Sequence, residues 1–257
     1  MESTDFIFNN IESKNMGVYI VNLKSGMVES PFLPKSTISE KITKNNYKPY
    51  FQKITRAPLE FKITISPLAE KWTPTLKQNI GKWLSTDFYK EFQTYDDLNK
   101  YYYAICTDVS DLTTTDERGY IDLTFRTNSP YAYTERKSVI TDLSTNTGTT
   151  NIIVDNKSNI GINYYPKIEM ILEDTDTAFK IENLTNGSEQ EFFGLYGGET
   201  ISVDNHRKII ATDVVGAYRL SSDYFNGSWL ELSEGENTLR ITGKGYLEIE
   251  TQYPIIG

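Results

Sequence analysis

Two acidic groups in this chain are candidates for paired-carboxylate chemistry: Glu173, Asp174 and Asp176, and Glu231, Glu234 and Glu236. A carboxyl pair is the minimum equipment for glycoside hydrolysis, one member acting as acid and the other as base or nucleophile. Both groups fall beside apparent turns, however, where acids are common because they are soluble and bond local backbone amides. Spacing along the chain does not set the separation across a scissile bond, so the solvated turn is the simpler reading. Asp174-Thr175-Asp176 and Asp204-Asn205 are also of calcium-ligand type. Neither continues into the acidic loop with a glycine and a distant Glu that makes a calcium signal strong.

Nucleophilic and transition-metal chemistry lack parts. The chain has one cysteine, Cys106, and one histidine, His206, and nothing brings the two together. Cys106 ends the strand-like run Tyr101-Tyr102-Tyr103-Ala104-Ile105-Cys106, so a buried structural thiol is expected. No G-x-S-x-G, Walker A or G-x-G-x-x-G sequence occurs. Gly194-Leu195-Tyr196-Gly197-Gly198 lies between strand-like runs instead of opening a helix, so it is no phosphate cradle. The chain reads as a non-enzyme without a cofactor or metal.

The elements that would position any site are mostly strands. Leu59 to Ile65 alternates apolar and polar residues without a break, and Ile121–Arg126, Phe179–Glu182, Leu239–Thr242 and Leu247–Glu250 repeat the pattern. Each reads as a strand with one face on a core and one in water, the habit of antiparallel sheets. Gly243-Lys244-Gly245 supplies a tight hairpin between the last two. One helix is expected. Thr73 caps it, Pro74 opens it, and Leu76, Ile80, Trp83 and Leu84 form its apolar stripe. A second short turn is expected around Tyr95-Asp96-Asp97-Leu98. His206 reads as a hairpin-tip residue.

At 257 residues the chain is long for one core. Residues 135–150 read as a linker or domain edge, since Ser144–Thr150 has nothing apolar to bury. Charge changes there too: residues 1–144 hold 18 basic and 18 acidic residues, while the remainder holds 8 and 17. A neutral first half can pack against copies of itself; an acidic second half stays solvated. The expectation is a mostly β first domain with one helix, then an all-β second domain of seven or eight short strands. Apart from Arg136-Lys137 the chain has no contiguous basic cluster, which argues against nucleic-acid binding. No apolar run is long enough to span a membrane, and the start of the chain lacks a signal-peptide pattern, so synthesis in a cytoplasm is expected.

Residues 24–56 fit neither domain. They alternate poorly yet carry Met27, Phe32, Leu33, Tyr47, Tyr50 and Phe51. Such an aromatic arm is a liability on a monomer. It either lies on a neighbouring subunit or folds back as a long hairpin, and periodicity does not choose between them.

The order of several short motifs resembles a known family. Phe6-Ile7-Phe8-Asn9-Asn10-Ile11, Ser13–Val18, Arg56-Ala57-Pro58-Leu59-Glu60-Phe61, Lys82-Trp83-Leu84, Asp97–Ala104, Gly119–Phe125 and Asn128–Ala132 are similar to the distal tail protein of siphophages that infect Gram-positive bacteria. In the second half, Asn159-Ile160-Gly161, Tyr165-Pro166-Lys167-Ile168, Ile181–Thr185 and Leu232–Gly243 continue the likeness. The resemblance implies a mainly β chain: an N-terminal β-sandwich with one α-helix and an extended β-hairpin arm over residues 1–136, then a galectin-like β-sandwich over 137–257. It further implies a homohexameric ring in the virion, at the distal end of the tail. That ring would join the tail tube protein to a tail-tip or tail-associated lysin protein, anchor receptor-binding proteins, and leave a channel for DNA. The arm would embrace the next subunit. The rival reading is a carbohydrate-binding module for host cell-wall polysaccharide, with Trp229, Tyr218, Tyr164 and Tyr165 as stacking faces. Both Tyr164-Tyr165 and Trp229 are equally suited to sealing a sandwich core.

Overall fold

The structure is a computed structural model that describes residues 4–21, 34–44, 46–69 and 71–256. The chain divides into two compact units, one formed by Met1–Tyr133 with the last two residues and one by Thr134–Ile255. No described helix is long and apolar enough to cross a membrane.

The first unit contains β1 (Phe6–Phe8), β2 (Ile11–Glu12), a 3-10 turn (Ser13–Met16), β3 (Val18–Ile20), β4 (Ser36–Lys41), β5 (Tyr50–Arg56) and β6 (Glu60–Pro67). The helix α1 (Pro74–Leu84) follows, then β7 (Lys90–Thr94), β8 (Asp97–Val109), β9 (Thr113–Thr115), β10 (Arg118–Thr127) and β11 (Ala132–Tyr133). Seven of these strands pair in the order β2-β1-β7-β8-β10-β6-β3. Alternation sets which face is covered: Phe61, Ile63 and Ile65 of β6 are buried and the residues between them are not.

The sheet is rolled around an aromatic core. β7 and β6 are three strands apart, about 14 Å in a flat sheet. Yet the Phe92 and Phe61 rings lie 5.0 Å apart, and Phe8 of β1 lies 5.3 Å from Phe125 of β10. Only a strongly curled sheet brings such distant strands together, giving sandwich-like walls from one hydrogen-bonded path. The helix closes the unit. The Thr73 hydroxyl accepts the Leu76 N–H at 3.2 Å, Pro74 occupies the first turn, and Ile80, Trp83 and Leu84 are buried. Leu76, half-buried, packs its Cδ1 toward Gly17, whose φ of +76° closes the 3-10 turn. Trp83 stacks on Phe6 and donates its indole N–H to the Phe8 carbonyl at 3.0 Å. The turn expected at Tyr95-Asp96 is the tip of the β7–β8 hairpin.

The second unit is a sandwich. Its strands are β12 (Lys137–Asp142), β13 (Thr149–Asn156), β14 (Lys167–Leu172), β15 (Phe179–Asn183), β16 (Glu189–Phe192), β17 (Thr200–Asp204), β18 (Ile209–Thr212), β19 (Gly235–Thr242) and β20 (Gly245–Thr251), with β21 (Pro254–Ile255) at the end. A five-stranded sheet runs β12-β20-β14-β17-β18 and a four-stranded one β13-β19-β15-β16. Their inward rows, among them Ile168, Met170, Ile181, Ile201, Ile241 and Leu247, make one continuous core. The reading of 135–150 as a linker needs correction: residues 137–142 are a strand, β12, paired along its length with β20. That strand lies at a sheet edge and buries little, which is why its sequence lacks a clear apolar alternation.

Between β18 and β19, residues 213–234 form no regular strand, yet Phe225, Leu230 and Leu232 are buried. Polar anchors hold this excursion. Asn205 accepts the Leu230 N–H on Oδ1 at 3.1 Å and donates its amide to the Pro166 carbonyl at 2.8 Å. Asn183 donates to the Glu231 carbonyl at 2.8 Å. Arg219 reaches back to Glu199, and both side chains are buried. Buried amides and charges persist where their bonds are made, so these residues give the segment one path.

Candidate assembly interface

The hairpin formed by β4 and β5 pairs with nothing else among the described residues. A lone two-stranded ribbon is marginal in water. This one is nonetheless open to solvent along nearly all its length: Tyr47 is fully exposed, and Ile38, Tyr50, Phe51 and Ile54 are each 46–64% exposed. A row of exposed large apolar residues marks a surface that something covers.

Register explains how the row forms. On β4, Ile38 and Glu40 share a face, and their cross-strand partners are Ile54 and Phe51. Ile54 and Phe51 are three residues apart, so strict alternation would put them on opposite faces. A register shift between Ser39 and Glu40 leaves Gln52 as the extra residue of a bulge, and this restores Phe51 to the side of Ile54. Gln52 stays on the opposite side, where its Oε1 accepts the Ser39 hydroxyl at 3.0 Å. One face of the arm is therefore an Ile38–Ile54–Phe51 stripe.

Charge singles out the same segment. Residues 34–56 carry Lys35, Lys41, Lys44, Lys48, Lys53 and Arg56 against Glu40 alone, a net of +5. Because residues 1–144 balance at 18 and 18, the rest of that half is −5. Averaging over the whole half hides this split; a shorter window would have revealed it. Of the expected arm residues, Tyr47, Tyr50 and Phe51 are on the hairpin, while Met27, Phe32 and Leu33 lie outside the described residues.

A groove opens on the same unit beside α1. Trp72, Ile80, Leu84, Val109, Leu112 and Ile121 supply most of its apolar wall, and its volume is about 370 Å³. Cys106 also lines it, half-buried, with its thiol pushed up to about 11 by burial, which outweighs the opposing hydrogen bond to the Asp108 backbone and is reinforced by the Asp108 carboxylate. It is thus a protonated thiol at neutral pH and no nucleophile.

In the second unit, the four candidate stacking residues separate. Tyr164 belongs to the core wall: its ring meets Tyr253 at 4.8 Å and its hydroxyl accepts the Gln252 N–H. Tyr218 stands exposed in the 213–234 excursion. Tyr165 and Trp229 come together in one cleft of about 340 Å³ with Ser188, Glu189, Lys208 and Glu231. Tyr165 donates its hydroxyl to Glu231 at 2.9 Å, and that carboxylate bond raises the Tyr165 pKa. Trp229 stands edge-on to Phe225 and is partly packed against the core. The acidic residues considered for hydrolysis do not form one site: Asp174 lies in a turn, Asp176 accepts the Lys244 N–H, Glu236 is on β19 and Glu231 lines this cleft. Among the described residues, no group of three or more His, Cys, Asp or Glu side chains is placed to hold a metal.

Comparison with known proteins gives a consistent result. Residues 1–129 match the family described as phage tail protein N-terminal domain, and residues 131–253 match the one described as phage tail C-terminal domain. The SPbeta prophage-derived uncharacterized protein YomH of Bacillus subtilis (strain 168) is 28% identical over 257 residues, covering 98% of each chain. The crystal structure of the SPP1 Dit protein, described as a paradigm of hub adsorption apparatus in Gram-positive infecting phages, superposes with a TM-score of 0.68. That match covers 96% of this chain and 98% of the other at 10% identity, a likeness of fold.

Proposed function

Since the chain belongs to the phage tail protein family matched across both its units, we propose that it is the distal tail hub of a long-tailed phage. It is a structural protein of the virion, made in the bacterial host cytoplasm and built into the end of the tail. Six copies close into a ring through their first units. The ring joins the tail tube protein to a tail-tip or tail-associated lysin protein, offers its second units to receptor-binding proteins, and leaves a channel for DNA.

The observation that carries this reading is the arm. A hairpin with an apolar face, no pairing partner among the described residues and a charge opposite to the rest of its unit is built for contact between copies. Such a contact is heterologous, one patch meeting a different patch on the next copy, and it makes either a closed ring or a filament. Light scattering on the full-length protein, alone and mixed with the tail-tip protein, tests it across a concentration series. A discrete closed multimer of six chains is the expected result; an unlimited polymer or a monomer in both settings contradicts it.

A second reading has one observation in its favour. Tyr165 and Trp229 line a single cleft with carboxylates and a lysine, the mix of aromatic face and polar groups that saccharides use. On that reading the second unit binds host cell-wall polysaccharide. Titration of the full-length protein with that polysaccharide, followed by tryptophan fluorescence, should then saturate and should fail in Trp229→Ala.

A further inference from the structure

We propose that the cleft lined by Tyr165 and Trp229 is a subsite for one uncharged pyranose ring. This rests on the polysaccharide reading of the second unit and adds the charge class of the ligand and the side chains that select it.

Four separate segments build the cleft: Tyr165 just before β14, Gly187–Glu189 running into β16, Lys208 in the turn between β17 and β18, and Ser228–Glu231 of the excursion. The chain leaves several of its polar groups unused. Of the three tryptophans, Trp72 donates its indole N–H to the Gly119 carbonyl at 2.9 Å and Trp83 donates to that of Phe8 at 3.0 Å. Among the described residues, the Trp229 N–H has no acceptor. Lys208 and Glu231 line the same cleft with opposite charges, yet neither forms an ion pair with any described residue. Tyr165 donates to one Glu231 oxygen, Oε2, and leaves the other without a described donor. One cleft therefore offers an N–H donor, an ammonium and a carboxylate oxygen at once.

The backbone of Lys208 adds an independent mark. Its φ is +59°, in the left-handed region that is strained for a residue with a Cβ and free for glycine. The turn alone favours glycine there, and what lysine brings instead is the side chain on the cleft wall.

These groups set the ligand class. Lys180 lies 3.0 Å from Glu189 and neutralises it, so Lys208 and Glu231 leave the cleft balanced. A phosphate that met Lys208 would also meet the Glu231 carboxylate, and an ammonium that met Glu231 would meet Lys208. A sugar hydroxyl both donates and accepts, so adjacent hydroxyls serve Glu231 and Lys208 together. The C–H face of a pyranose is the apolar surface that an indole takes.

Full-length protein is tested by ligand-detected NMR saturation transfer against the methyl pyranosides of glucose, galactose, N-acetylglucosamine and N-acetylgalactosamine. Glycerol phosphate and glucosamine serve as the anionic and cationic probes. At least one methyl pyranoside should bind, and both charged probes should bind at least tenfold more weakly. Lys208→Gly relieves the positive φ and should melt no lower than wild type. It should nonetheless raise the Kd for that pyranoside at least about tenfold, the scale of one hydrogen bond to a charged group. Glu231→Gln, which keeps the shape of the side chain, should do the same. A charged probe that binds as tightly as the best pyranoside would overturn the ligand class. Pyranoside binding unchanged in either variant would overturn the cleft as its seat and leave the polysaccharide reading standing. If no probe binds, the proposal fails, and the polysaccharide titration decides separately whether the wider reading falls with it.

Discussion

The Arg219 guanidinium meets the Glu199 carboxylate in a two-point contact, Nε to Oε1 at 2.7 Å and Nη2 to Oε2 at 2.8 Å, with both side chains almost wholly withdrawn from water. Glu199 accepts two further bonds, from the Thr212 hydroxyl and the Tyr196 N–H, and the guanidinium lies 4.4 Å from the Tyr224 ring. The contact ties the irregular 213–234 excursion to the turn before β17. Removing one partner strands the other charge in the core.

Arg219→Ala should therefore destabilise the second unit by about 3–5 kcal/mol, the usual cost of breaking a buried pair from one side. Replacing both residues by apolar ones of similar volume should cost less than either single change. Denaturant unfolding of the full-length protein, read through a probe in the second unit, measures the difference.

Burial alone would push the Glu199 pKa up, but the bonds from Arg219, Thr212 and Tyr196 outweigh it and hold the pKa below its ordinary value. A carboxyl depressed in the folded state contributes stability in full above its unfolded pKa, about 4.3. That contribution is lost as pH falls through the lower folded value. Acid titration of stability should show this loss below about pH 4 in wild type. It should be absent from the double apolar variant.

The arm should behave as a surface of the monomer. Ile38→Ser with Ile54→Ser should change the melting free energy of the chain by no more than about 0.5 kcal/mol, since both side chains are already in water. The same pair should abolish the multimer seen by light scattering. A large loss of stability would show that the stripe packs on its own unit.

Cys106 offers a pH probe of the groove. With its thiol pushed up to about 11, alkylation by iodoacetamide should rise close to tenfold per pH unit from 7 to 10. In denatured chain the rate should level off near 8.5. A native plateau below pH 9 would refute the raised value.

Gly197 is fixed by close approach. A Cβ there would lie 1.9 Å from the Asp174 carbonyl oxygen, backbone that has no easy way to retreat. Gly197→Ala should cost at least about 3 kcal/mol, the upper end of ordinary overpacking. By contrast, Gly148→Ala, with open space around it, should be near neutral.

The sequence announced the parts of this fold that obey a single period. Phe61, Ile63 and Ile65 alternate on β6, and Thr73, Pro74 and the Ile80–Trp83–Leu84 stripe mark α1, so these elements stand where expected. β12 was hidden because it lies at a sheet edge and its two apolar residues, Val139 and Ile140, are adjacent instead of alternating. The apolar face of the arm was hidden for a different reason. Phe51 and Ile54 have the wrong parity, and only the bulge at Gln52 puts them side by side. Tyr165 and Trp229 are 64 residues apart, and their meeting depends on how Asn183 and Asn205 pin the excursion. Periodicity carries no information about such pins.

The pairing of β12 with β20 has an evolutionary consequence. It sets Lys137, near the start of the second unit, opposite Thr251, near its end. A body whose entry and exit strands lie side by side can be lifted out of one gene and spliced into another without stretching the chain on either side. The second unit is thus a cassette. Recombination can exchange it while the first unit stays unchanged.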